Sequence, residues 1–176
     1  MNETPDISLL PLINSPQINC LNEAHGHALS GIIASKTFNM TSAFLQSDLD
    51  EQLLLTIPFT QPVRIRSLII KTASDVTQGP KVIKILINRR NIDFEDVQEG
   101  SESDVSQILV LTEDQVKEGK RIPLRFVRFQ NVSSLHVFVE SNQSDGNTTR
   151  IEALDIFGIP VEATKDLIGL KKQDDD

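Results

Sequence analysis

A chain of 176 residues with 39% hydrophobic residues and a formal net charge of −8 is long enough to bury a full core and too apolar to be disordered by composition. Its acidic balance argues against nucleic acid or an anionic membrane as partner, since both reward clustered Lys and Arg, and no apolar run approaches the ~20 residues of a membrane span. A lone cysteine, Cys20, excludes an internal disulfide and CxxC dithiol chemistry.

The N-terminal MNETPDISLLPLIN lacks the basic n-region and long apolar stretch of a secretory signal. Sequons at Asn39, Asn131, Asn142 and Asn147 therefore read as polar turn residues, and the expected compartment is reducing and intracellular. Next along the chain, CLNEAHGH places Cys20, His25 and His27 close together. Three soft ligands fall short of the four of a structural zinc site, and a Cys–His nucleophile pair is the other chemistry they would allow. The plainer expectation is a buried thiol and surface histidines.

QSDLDEQLLLTIPF (46–59) raises a sharper choice. Asp48, Asp50 and Glu51 open like a calcium loop but lack its central glycine and distal glutamate. They are expected to form the wet entrance to a strand or to face a partner. Leu53, Leu55, Ile57 and Phe59 then alternate with Thr56 and Pro58, which is the period of a half-buried strand. Gln61-Pro62 is expected to turn the chain. VRIRSLIIKT (63–72) begins with Arg64 and Arg66 outward and ends apolar on both faces.

Residues 72–80 form a loop by their Gly, Pro and polar content. KVIKILIN (81–88) directs Ile83, Ile85 and Ile87 inward with Lys81 and Lys84 near solvent. Residues 89–105 read as a long surface loop anchored by Phe94 and Val97. SQILVLT (106–112) is a strand. Thr112 followed three residues later by Gln115 has the form of a capping box, predicting a short helical turn ended by Gly119. IPLRFVRFQNV (122–132) and SSLHVFVES (133–141) are predicted as adjacent strands, with Leu135, Val137 and Val139 in and His136 and Glu140 out. NQSDGNTT (142–149) is a turn cluster. RIEALDIFGIP (150–160) is the last strand, ended by Gly158 and Pro160, and VEATKDLIGL is the one further stretch where helix is expected, before the acidic KKQDDD.

Seven or more short strands with helix confined to single turns argue for an antiparallel sandwich or barrel. No phosphate loop, GxGxxG, GxSxG or HExxH occurs. A sugar-binding site usually presents aromatic platforms; the chain has no Trp or Tyr, and its eight Phe fall mostly at strand positions expected in the core. The basic residues Arg64, Arg66, Lys71, Lys81, Lys84, Arg89, Arg90, Arg121, Arg125 and Arg128 lie on or beside the predicted sheets, either as a solvated face or as an electrostatic docking surface for a protein.

Several segments together resemble a known family. CLNE (20–23), SDLDEQLLLTIPFTQPV (47–63), GPKVIKILIN (79–88), DFED (93–96), LTEDQVKEG (111–119), PLRFVRFQNVSSLHVFVESNQ (123–143) and TTRIEALDIFGIPVEAT (148–164) are similar, in the same order, to the PITH domain, the C-terminal proteasome-interacting domain of thioredoxin-like proteins. The resemblance implies an all-β, jelly-roll-like antiparallel β-sandwich akin to galactose-binding domains, with short helical turns, over residues 7–165. Residues 1–6 are expected to be a disordered start and 166–176 a tail with an acidic end. It also implies a non-enzymatic module without cofactors that docks on the 26S proteasome regulatory particle, at the lid near the deubiquitinating subunit. In many family members a thioredoxin domain, which these 176 residues do not include, precedes this one. The expected setting is cytoplasm and nucleus, and the expected state is a monomer.

The partner-binding residues expected from this reading are Asp48, Asp50 and Glu51, the basic Arg64, Arg66, Lys84, Arg89 and Arg90, and Asp174, Asp175 and Asp176 of the tail. Two other functions stand beside it. One is a small-molecule or glycan-binding module using the loops at 72–80 and 142–149. The other is a hydrolase or metal enzyme using Cys20 with His25 or His27.

Overall fold

The computed structural model describes residues 5–98 and 104–161. Its strands are β1 (Ile7–Ser8), β2 (Asn19–Leu21), β3 (Leu45–Gln46), β4 (Leu53–Lys71), β5 (Val82–Ile87), β6 (Gln107–Val110), β7 (Ile122–Pro123), β8 (Val132–Val139), β9 (Arg150–Ile151) and β10 (Ala153–Pro160). Three short helices accompany them: α1 (Ser30–Ile33), α2 (Phe94–Gln98) and α3 (Glu113–Glu118). The fold is a jelly-roll-like antiparallel β-sandwich in which β4 belongs to both layers. Its first half lies between β2 and β8, and β5 and β6 continue outward from β8. Its second half pairs with β10 on one side and β7 on the other, and β1 closes the far edge of β10. The small β3–β9 pair sits apart.

Two irregularities let one strand serve both layers. Between Pro58 and Val63, β4 carries extra residues relative to β8. There Ile13 bridges to Phe59, the Asn14 amide donates to the Pro58 carbonyl, and the Thr60 hydroxyl donates to the Leu12 carbonyl. The chain therefore bulges at 59–62 and does not reverse at Gln61-Pro62; the N-terminal segment satisfies the backbone groups that β8 leaves. The second irregularity is a bulge opposite Phe157 and Gly158, where Ile65 pairs with Gly158 and Ser67 with Phe157, leaving Arg66 extra. Before it, Leu53, Leu55, Ile57, Phe59, Val63 and Ile65 enter the core; after it, Leu68 and Ile70 do. This phase shift explains why RSLIIK looks apolar on both faces. Gly158 does not end β10. It is the residue that lets the strands close at the bulge, because a β-carbon there would overlap the Arg64 carbonyl oxygen.

The main core gathers these β4 residues with Ile83 and Ile85 of β5, Leu135, Val137 and Val139 of β8, Leu154 and Ile156 of β10, and Phe129. A second, smaller cluster covers the opposite face of the first layer: Leu54, Leu86 and Phe138, capped by Val97 of α2 and by Phe94, whose ring meets Phe138 edge to face at 6.0 Å. Residues 94–98 are thus a helix rather than loop, although the two anchors named from the sequence, Phe94 and Val97, are the ones that hold it.

The outward placement of His136 is overturned as well, for it is completely buried. Its Nε2 accepts from the Arg89 amide at 3.2 Å, so Nδ1 carries the proton and donates to Thr56 Oγ1 at 3.0 Å. Burial, with Arg89 nearby, lowers the imidazole from 6.5 to about 4. The pairing predicted for 122–132 is also corrected. Ile122–Pro123 pairs with β4, and Phe126–Arg128 is a 3₁₀ turn. The Thr112 capping box is present in both directions, and Gly119 ends α3 with φ 68°. The predicted helical VEATKDLIGL segment, apart from its first residue, lies outside the described residues.

Candidate docking surface

The acidic turn is held from one side chain. Asn22, at φ 71°, accepts from the Leu49 amide at Oδ1, 3.0 Å, and donates from Nδ2 to Asp50 Oδ1 at 3.0 Å and to the Gln52 carbonyl at 2.6 Å. Its own carbonyl accepts from the Asp48 amide. Asp50 Oδ1 also accepts from the Gln52 amide, and Thr149 Oγ1 donates to the Glu51 carbonyl. Asp48 and Asp50 are exposed, Glu51 is half-buried, and Leu49 between them is 87% exposed. The carboxylates shape the entrance to β4. Among the described residues, no three His, Cys, Asp or Glu side chains are grouped as a metal ion requires.

The expected basic residues occupy several places. Arg64 and Arg66 share the outer side of β4, and Arg66 pairs with Asp6 at 3.3 Å. Lys84, two strands away on β5, pairs with Glu140 at 3.2 Å and lies 6.0 Å over the Phe138 ring. Arg89 faces Asp104 at 3.9 Å, and Arg90 is exposed. Asp174, Asp175 and Asp176 lie outside the described residues.

Around Arg66 the structure builds a surface that strand periodicity did not suggest. The 3₁₀ turn after β7 exposes Phe126 (49%) and Val127 (70%). The Arg66 guanidinium lies 5.5 Å from the Phe126 ring centre, and Arg121 stacks on Phe157 at 3.6 Å. The Arg125 amide donates to Gln107 Oε1 at 2.8 Å, tying this turn to β6. That strand ends the sheet and exposes Ile108 (45%) and Val110 (64%). Arg125 and Arg128 face Ile108 across a cleft of about 250 Å³. The result is an apolar ridge framed by arginines on a sheet edge, a composition that favours protein contact. Apolar residues at 124, 126, 127 and 129 mimic a strand, which is why sequence placed Phe126 in a core. The three successive arginines at 121, 125 and 128 were the available signal.

Cys20 is buried in β2, and burial pushes its thiol up, away from the reactive thiolate. His25 is exposed, and His27 stacks on Phe44 at 4.1 Å. Phe44 in turn carries Arg150 on its ring at 3.7 Å. Arg150 pairs with Glu152 at 3.1 Å beside a cavity of about 360 Å³ lined by residues 38–43, Lys71, Ala73 and Ser74. Burial alone would raise the Glu152 carboxyl, but hydrogen bonds from Ser74 and Ala73 and the charge of Arg150 outweigh it and lower it. Of the two loops expected around a ligand, only 72–80 reaches this cavity. The 142–149 turn is closed on itself, with Asn142 Oδ1 accepting from the Gly146 amide at 3.0 Å and Nδ2 donating to the Thr148 carbonyl at 3.0 Å. Among the described residues no helix is long and apolar enough to cross a membrane.

The fold is that of the family 32 carbohydrate-binding module of C. perfringens NanJ, solved with galactose (TM-score 0.62, 8% identity, 86% of this chain and 98% of that one). A second such module, from a C. perfringens family 31 glycoside hydrolase, matches at TM-score 0.59 and 12% identity over 84% and 94% of the two chains. In sequence, the chain is 39% identical to thioredoxin-like protein 1 of Schizosaccharomyces pombe over 88% of its own length and 52% of that protein. It is 31% identical to PITH domain-containing protein CG6153 of Drosophila melanogaster, over 90% and 72% of the two chains. The chain thus spans about half the length of the fission-yeast relative. The PITH domain model matches residues 1–175, and on that match the chain belongs to the PITH domain family.

Proposed function

We propose that this chain is a non-catalytic docking module that binds the regulatory particle of the 26S proteasome, at the lid near the deubiquitinating subunit, as a monomer in cytoplasm and nucleus. In longer relatives it would tether a thioredoxin domain to the same site. Membership of the family supports the partner. The observation that carries a docking role is the arginine-framed ridge of Ile108, Val110, Phe126 and Val127. Large apolar side chains held exposed on a sheet edge match the buried centre of an interface, and Arg125 and Arg128 match its rim.

The test is a pull-down of purified 26S proteasome with this chain at low and moderate salt. Salt-weakened binding is expected, because the rim charges steer and orient the encounter. Val127→Asp should abolish capture with an unchanged melting curve, and Arg64→Glu with Arg66→Glu should weaken it. Undiminished capture by Val127→Asp would remove the ridge from the interface, and absence of capture by the wild type at both salts would remove this partner. The cavity beside Arg150 and Glu152, in a fold shared with carbohydrate-binding modules, supports a second reading as a glycan-binding domain. A rise in Tm with galactose or N-acetylgalactosamine would establish it, since a ligand selective for the folded state must stabilise that state.

A further inference from the structure

The turn at 47–52 has no backbone reason to expose an aliphatic side chain. Its Asp48, Leu49 and Gln52 amides are bonded within the turn or to Asn22, and the Asp50, Glu51 and Gln52 carbonyls accept from Asn22 or Thr149. The Ser47 amide donates to the Thr149 carbonyl, and the Thr149 amide donates back to Ser47 Oγ, both at 2.9 Å. Leu49 is therefore held out on a turn fixed from beneath. Beside it opens a hollow of about 430 Å³ walled by Leu21 and Phe94 and edged by Asn22, Asp50, Gln52 and Gln98.

The side-chain donors at the edge of the hollow are committed within the protein, which leaves acceptors. Gln98 Nε2 donates to Gln52 Oε1 at 2.6 Å, and the Asn22 amide is used by the turn. Beside the Gln98 carbonyl oxygen, those acceptors are negatively charged. Asp48, Asp50 and Glu51 on the turn, and Glu95 on the adjoining α2, have no cationic partner within ion-pair distance among the described residues. Apolar walls edged by Asp50, with further unneutralised carboxylates on the same turn and on α2, complement one kind of occupant: an aliphatic side chain flanked by positive charge.

We propose that Leu49 and this hollow form a second docking site, opposite in charge to the arginine-framed ridge, which takes a peptide segment of a partner protein carrying an aliphatic residue next to Lys or Arg. The aliphatic side chain enters between Leu21, Leu49 and Phe94, and the cation is held by Asp48 and Asp50. The domain then has two surfaces that different proteins can occupy at once.

The experiment is panning of a phage-displayed library of random peptides of about twelve residues against the full chain, followed by titration of the enriched peptides. Clones pairing an aliphatic residue with an adjacent Lys or Arg are expected. Their affinity should fall about tenfold or more in Leu49→Ser and in Asp48→Lys, and should weaken as salt rises. Both substitutions are at exposed side chains, so melting curves should match the wild type. Enriched peptides that bind Leu49→Ser as tightly as wild type, peptides without basic residues, or no enrichment would each overturn the proposal. Sedimentation showing a wild-type dimer lost in Leu49→Ser would overturn it too, by giving the hollow to a second copy of this chain.

Discussion

The two faces of the layer formed by β4, β8 and β5 are built to different standards. The inner face closes on the main core, where Leu55, Ile57, Ile83, Ile85, Leu135 and Val137 are fully buried. The outer face is covered in the middle by α2 over Leu54, Leu86 and Phe138, and toward β6 it ends in exposed Ile108 and Val110. The inner face has one solution, set by close packing. The outer face carries the buried histidine, the Lys84–Glu140 pair and the hollow beside Leu49, and its β6 edge contributes Ile108 and Val110 to the arginine-framed surface. Stability and recognition are thus divided between opposite sides of the same strands, and residues on each side should respond differently to substitution.

The largest contrast is between two phenylalanines three residues apart. Phe129→Ala empties a fully buried site and should cost about 3–5 kcal/mol in urea unfolding. Phe126→Ala should change stability by under about 0.5 kcal/mol while reducing proteasome capture. Similar stability losses for both would break the division of labour. His136 provides the next test. Burial keeps its imidazole neutral down to about 4, whereas the unfolded chain takes up the proton near 6.5. Lowering the pH through that window therefore favours unfolding, by roughly 3 kcal/mol in total, with no further loss from this group below about pH 4. Urea midpoints at pH 7 and pH 4.5 should show a steeper decline in the wild type than in His136→Gln. A smaller loss than at Phe129 or His136 is expected at α3, against the second half of β4, where Thr112→Ala removes the cap and should cost about 1 kcal/mol in the same assay. A change in capture there would show that α3 belongs to the recognition surface as well.

The inner face was legible from alternation alone. Period two over 53–59, 81–87 and 135–139 marks side chains that meet a single apolar environment, and the buried residues follow it. The Thr112–Gln115 pair was legible because a capping box is local chemistry. The outer face was not. His136 reads as outward because its neighbours in sequence are core residues of the other face; what holds it in, the Arg89 amide and Thr56, is distant along the chain. α2 itself is five residues with two acids in its first turn, too short to show helical periodicity. The acidic turn was visible as a cluster, but its rigidity comes from Asn22, twenty-seven residues before Leu49. The ridge was hidden because a 3₁₀ turn with apolar residues imitates a strand.

The bulge at Arg66 has a consequence for how this gene can change length. β4 is read in two phases, with odd-numbered residues inward up to Ile65 and even-numbered residues inward from Leu68. Deleting Arg66 would remove the extra residue and leave one unbroken alternation, in which Ile65, Leu68 and Ile70 all still face the core. Loss of one residue here should therefore be tolerated far better than loss of Thr56, which would set Leu55 and Ile57 on opposite faces of the sheet. At the bulge the strand can change length without changing which side chains meet the core.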